Sequence, residues 1–180
     1  MSSSRRVKRF VIIVLLVLVA AAGYRFYGSP ETGTGTLTLP QPAPNIDDDA
    51  PSFQAESRDG RPFELSDSGV YVVTFWSASS LPFLANKDTA EAQPEFEQMA
   101  RDYENEGVSF AAVYVSYAPE SEAGLPYAVL QDPSGELTGL YNVKRVPRLF
   151  LISDGKIELV QNGHYLESDE QLREELNRVL

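Results

Sequence analysis

The 180 residues allow one ordinary domain with appendages, and a hydrophobic content of 43% supports a packed core, which excludes a wholly disordered chain. The formal charge of −11 is unevenly placed, because Arg5, Arg6, Lys8, Arg9 and Arg25 are the only charges before residue 29. Residues 29–180 therefore hold 10 basic and 26 acidic side chains, a net of −16, which repels nucleic acid and excludes nucleic-acid binding.

The basic segment 1–9 precedes Phe10–Tyr24, a run without charge that is rich in Val, Leu, Ile and Ala. Counted to Tyr27, with Arg25 snorkelling outward, a helix here spans roughly 27 Å, close to the thickness of a bilayer core. Residues 10–27 are expected to form a transmembrane signal-anchor, with Tyr24, Phe26 and Tyr27 as an interfacial belt. Ala20-Ala21-Ala22-Gly23 supports the alternative of a cleaved signal, with the protein secreted after cleavage near Ala22. In both cases the positive-inside rule puts the N-terminus in the cytoplasm and the domain outside. Residues 28–50, dense in Pro, Gly, Thr and Asp without an apolar period, read as a flexible linker.

The domain is expected over 51–180. Asp59-Gly60 marks a turn between two short strands around Phe53 and Phe63. Val70, Val72, Val73 and Phe75 form a β-branched and aromatic run expected of a central strand buried on both faces. Gln93-Pro94 predicts a helix start, with Phe96, Met99, Ala100 and Tyr103 on one face and Gly107 as the stop. Val108–Ser116 and Tyr127–Leu130 read as strands, and Asp132-Pro133-Ser134-Gly135 turns into a short helix carrying Leu137, Leu140 and Tyr141. Ser153-Asp154-Gly155 joins Leu149–Ile152 to Lys156–Val160 as a hairpin. Ser168, with Gln171 three residues on, predicts a capped last helix whose buried stripe is Leu172, Leu176, Val179 and Leu180.

Phe75-Trp76-Ser77-Ala78-Ser79-Ser80-Leu81-Pro82-Phe83 resembles the Phe-Trp-Ala-x-Trp-Cys-x-x-Cys segment of membrane-anchored thioredoxin-like proteins of the TlpA/ResA type. Tyr141-Asn142-Val143-Lys144-Arg145-Val146-Pro147-Arg148-Leu149-Phe150-Leu151-Ile152 resembles the family's second landmark, with Arg148 in place of the usual threonine. The resemblance covers about residues 50–180 and implies a thioredoxin-like α/β fold, a central mixed sheet flanked by helices. It also implies a cis Val146–Pro147 bond facing the loop of the two cysteines. Those two positions are Ser80 and Phe83 here, and the chain contains no cysteine. Aligning back from Pro94 puts Asn86 and Thr89 there instead; neither alignment recovers a thiol.

Thiol–disulfide exchange requires a thiolate, so no catalytic residue is assigned; Ser80 and Phe83 are vestigial. Ser80 as a nucleophile would need a base, and the single histidine, His164, reads as a surface turn residue. No soft metal-ligand set is present, no cofactor is implied, and Asp47-Asp48-Asp49 reads as a solvated acidic run. The expected partner face comprises Trp76, Ser80, Leu81, Pro82, Phe83, Val146, Pro147 and Arg148. Trp76 reads equally as a peptide contact or as a plug at the sheet's end. Lys144, Arg145 and Arg148 form a basic patch around Pro147, readable also as counter-charges to the acidic Leu84–Ala92 stretch. The expected function is a membrane-tethered, redox-inactive binding or scaffolding module for an extracytoplasmic protein or extended peptide, set by resemblance in envelope redox homeostasis or cytochrome maturation. Its alternatives are an oxidoreductase acting through a partner's cysteines, and a structural envelope protein without a retained site.

Overall fold

The computed structural model describes residues 42–77, 87–116, 118, 124–163 and 168–180. Within them the chain order is β1 (Phe53–Glu56), β2 (Pro62–Leu65), β3 (Val70–Trp76), α1 (Lys87–Asp102), β4 (Val108–Tyr114) and β5 (Ala128–Gln131). There follow α2 (Glu136–Leu140), β6 (Arg148–Ser153), β7 (Lys156–Asn162) and α3 (Ser168–Val179). β1 and β2 form an antiparallel hairpin closed by the Ser57–Gly60 turn, where Gly60 has φ 81°. The other strands form one sheet in the order β5-β4-β3-β6-β7, parallel from β3 to β5 and antiparallel through β6 and β7.

β3 lies at the centre because its side chains are apolar on both faces, and both faces are covered. Val72 and Trp76 face one layer with Phe96, Met99, Leu172 and Leu176 of α1 and α3. Val73 and Phe75 face the other, with Phe63, Leu65, Leu137, Tyr141 and Phe150. Burying each large side chain contributes about 1.5–3 kcal/mol, so these two layers carry most of the driving force. The β6–β7 turn places Asp154 and Gly155 at φ 46° and 75°, the left-handed pair that suits a two-residue hairpin.

Three expectations are corrected. Helix α1 begins at Lys87, so Pro94 lies inside it rather than at its first turn. The proline lacks an N–H for the Ala90 carbonyl, a cost of about 3 kcal/mol in a helix interior, offset by the burial of Phe96, Met99, Ala100 and Tyr103 beyond it. The stretch assigned to the end of the linker is docked: Asp47 N–H donates to the Ile157 carbonyl and Ala50 N–H to the Gly155 carbonyl, both at 2.8 Å. Asp49, still solvated, pairs with Lys156 at the surface, and the folded unit starts before residue 51. On α3 the buried stripe stops at Leu172 and Leu176, while Val179 is half-buried and Leu180 is exposed. Of the two readings open for Trp76, its burial agrees with a plug at the sheet's end. Among the described residues no helix is long and apolar enough to cross a membrane; segment 10–27 lies outside them.

Candidate functional site

The antiparallel register of β3 against β6 pairs Thr74 with Leu149 and Phe75 with Arg148. It thereby sets the C-terminal end of the central strand beside Val146–Pro147, whose peptide bond is cis. Pro147 is buried, and its carbonyl accepts a hydrogen bond from Gly163 N–H at 2.8 Å, which ties the loop to the end of β7. Val146 is half-buried against the layer of Phe75 and Phe150.

Beside Pro147, on the α1/α3 side of the sheet, lies a cavity of about 40 Å³. Its walls are Thr74 and Trp76 of β3, Phe96 and Met99 of α1, Leu149, and Leu172 of α3, with Glu95, Gln161 and Asp169 also lining it. The volume suffices for about one water. Trp76 is 1% exposed and meets Phe96, Tyr114 and Tyr127 edge-to-face at centroid distances of 5.2, 5.7 and 6.0 Å. It plugs the end of the sheet and forms part of the cavity wall. Burial pushes the Tyr114 phenol up to about 12 and raises that of Tyr127 further.

Side chains alternate along β6, so Arg148 faces away from this cavity. Its guanidinium carbon sits 5.1 Å from the Phe150 ring centroid, and its Nε is buried without a hydrogen-bond acceptor. Burial alone holds its pKa below the usual guanidinium value. Thr74 Oγ1 approaches the Arg148 carbonyl at 3.5 Å, at the limit of a hydrogen bond.

Of the expected partner face, the structure brings together Trp76, Val146, Pro147 and Arg148, whereas Ser80, Leu81, Pro82 and Phe83 lie outside the described residues, as does His164. Lys144 and Arg145 are exposed, and neither they nor Arg148 form an ion pair among the described residues. The contributions of Gln161, Gly163, Asp169 and Leu172 were missed from sequence. No short pattern over 161–163 shows that Gly163 bonds to Pro147. Thr89, a cysteine position in the second alignment, is buried in the first turn of α1. Among the described residues no group of three or more His, Asp or Glu stands close enough to hold a metal ion.

The AhpC/TSA family profile matches residues 46–160. The chain is 29% identical over 168 residues to the thiol-disulfide oxidoreductase ResA of Bacillus subtilis (strain 168), covering 86% of this chain and 84% of that protein. A crystal structure from Chlorobium tepidum, assigned as a thiol:disulfide interchange protein DsbE, superimposes with a TM-score of 0.63 at 26% identity, covering 76% of this chain and 99% of that one. StoA from Bacillus subtilis shares the fold, with a TM-score of 0.53 at 21% identity over 70% of this chain and 96% of its own.

Proposed function

Because the chain belongs to the AhpC/TSA family and none of its 180 residues is cysteine, we propose that it is a thioredoxin-fold recognition module that binds a protein or extended peptide instead of exchanging disulfides. One observation carries this reading. The thiols are gone, yet the Pro147 loop still stands at the C-terminal end of the central strand, beside a small cavity walled by Trp76, Phe96 and Leu149. The N-terminal run 10–27 fits a tether in the cytoplasmic membrane with the domain outside, and envelope redox homeostasis or cytochrome maturation is the setting that fits the resemblance. A photo-crosslinker at Arg145, with a control at exposed Glu174 on α3, tests the reading in native membranes. A single protein captured from Arg145 and absent from Glu174 supports it; equal smears from both sink it.

The second reading is favoured by the ResA relatives, which are thiol-disulfide oxidoreductases. Here the chain holds two partners whose own cysteines exchange. The purified chain then shows no insulin-disulfide turnover, while its deletion leaves the crosslinked partner oxidised. Turnover by the purified chain alone would overturn both readings, since a hydroxyl cannot replace a thiolate as the attacking sulfur.

A further inference from the structure

We infer that Lys144, Arg145 and Arg148 form a seat for a carboxylate, and that the partner's docking segment is an extended peptide bearing Asp or Glu. The inference rests on the recognition reading above and specifies its chemistry. Residues 29–180 contain 26 carboxylate side chains and 10 cationic ones, so almost every cation can find a counter-ion. Arg61, Arg101, Lys156, Arg173 and Arg178 do so, and Arg58 donates to the Ala118 carbonyl at 3.1 Å. Among the residues whose side chains are described, the cations that enter no ion pair or hydrogen bond are Lys144 and Arg145, on the loop before Pro147, and Arg148, at the start of β6. All three fall within the five residues around Pro147, which concentrates positive charge there in a domain rich in acid.

Arg148 is the anchor of the seat. A guanidinium half-withdrawn from water and held over the Phe150 ring is fixed in direction, and a planar fork fixed in direction suits a carboxylate accepting two N–H bonds. Its buried Nε, which has no acceptor, is the kind of group a bound anion's field compensates. Lys144 and Arg145, four and three residues before it in the chain, are exposed and supply attraction rather than geometry. At physiological salt, charges beyond about 8 Å are screened, so a peptide in contact with the loop senses these three cations more than the distant acids.

The test is an array of extended peptides of about ten residues, each acidic sequence printed beside its Asn/Gln counterpart and probed with the full chain in detergent. The acidic member of the retained pairs is expected to bind about tenfold better, with the preference lost in Arg148→Gln and reduced in Lys144→Gln/Arg145→Gln but unchanged in Arg61→Gln. The double variant alters only exposed side chains, so it remains informative if Arg148→Gln disturbs folding. Equal retention of acidic and amide members overturns the carboxylate seat and leaves the recognition reading standing. Retention of neither kind overturns both. Binding to phosphatidylglycerol vesicles in place of acidic peptides shows a lipid site and also overturns the inference.

Discussion

Pro147 and Arg148 are neighbours in sequence but serve opposite sides of the sheet. Pro147 borders the cavity with Leu149, while Arg148 lies over Phe150 in the other layer. The same alternation puts Thr74 and Trp76 on the cavity side and Phe75 with Tyr141 on the other. Arg148 stands where the resembling proteins have threonine, and its burial without a carboxylate favours neutral replacements. Arg148→Thr forfeits a cation–π contact worth about 0.5–1 kcal/mol but removes that burden and adds a β-branched residue to a strand. The melting temperature is therefore expected to hold or rise as the preference for acidic peptides disappears; a clear fall on thermal melting would show that the guanidinium is there for stability. Trp76→Ala works the other way. Removing a plug that is 1% exposed and contacts three aromatic rings should cost about 3–5 kcal/mol in denaturant unfolding, and a loss under 1 kcal/mol would contradict its core role.

At the scale of elements, the segment before β1 is part of the folded unit. Residues 45–50 contribute three backbone hydrogen bonds to the β6–β7 turn region, from Asp47 and Ala50 and to Asp48, besides the Asp49–Lys156 pair and the burial of Ala50. At about 0.5–1.5 kcal/mol per hydrogen bond, a chain starting at residue 51 should be less stable than one starting at residue 42 by about 2–4 kcal/mol, read from the urea midpoint. Identical midpoints would return 45–50 to the linker. Gly155→Ala probes the neighbouring turn. Its φ of 75° is left-handed, and an added Cβ would lie 3.3 Å from Asp67 Cα and carbonyl oxygen, so a loss of about 1–2 kcal/mol is expected on chemical denaturation. These elements also show what the sequence can and cannot disclose. The hairpins and β3 were legible because Asp-Gly turns and β-branched runs are local signals. The docking of 45–50 was not, since it depends on the carbonyls of Gly155 and Ile157, more than a hundred residues away. Pro94 misled because proline favours the first helical turn, whereas here the helix already runs from Lys87. Within the site, Trp76, Pro147 and Arg148 were found by motif; Gln161, Gly163 and Leu172 enter only through the packing of β7 and α3, which no short pattern encodes.

For the whole molecule, both faces of the sheet carry tyrosines whose phenols are kept from ionising by burial. Tyr114 is pushed up to about 12, and Tyr127 and Tyr141 are raised further; Tyr141 also donates its O–H to the Pro51 carbonyl at 2.7 Å, a bond that needs the proton. An unfolded tyrosine ionises near 10. Below that value the phenols are protonated in both states and the folded chain keeps its full stability. Between about 10 and 12 the unfolded chain has released protons that the native chain still holds, so unfolding gains with each rise in pH, and the contribution is lost as pH climbs through the folded values. Urea midpoints should therefore be flat up to about pH 9 and fall steadily above 10. Absorbance at 295 nm should show these three phenolates forming together with unfolding. The two halves of the molecule should fail together, because Tyr114 lies in the layer under α1 and α3 and Tyr141 in the layer under the β1–β2 hairpin. Phenolate formation that runs ahead of unfolding, or a midpoint unchanged to pH 11.5, would show that the tyrosines reach solvent in the native state and that the two layers are not closed as described.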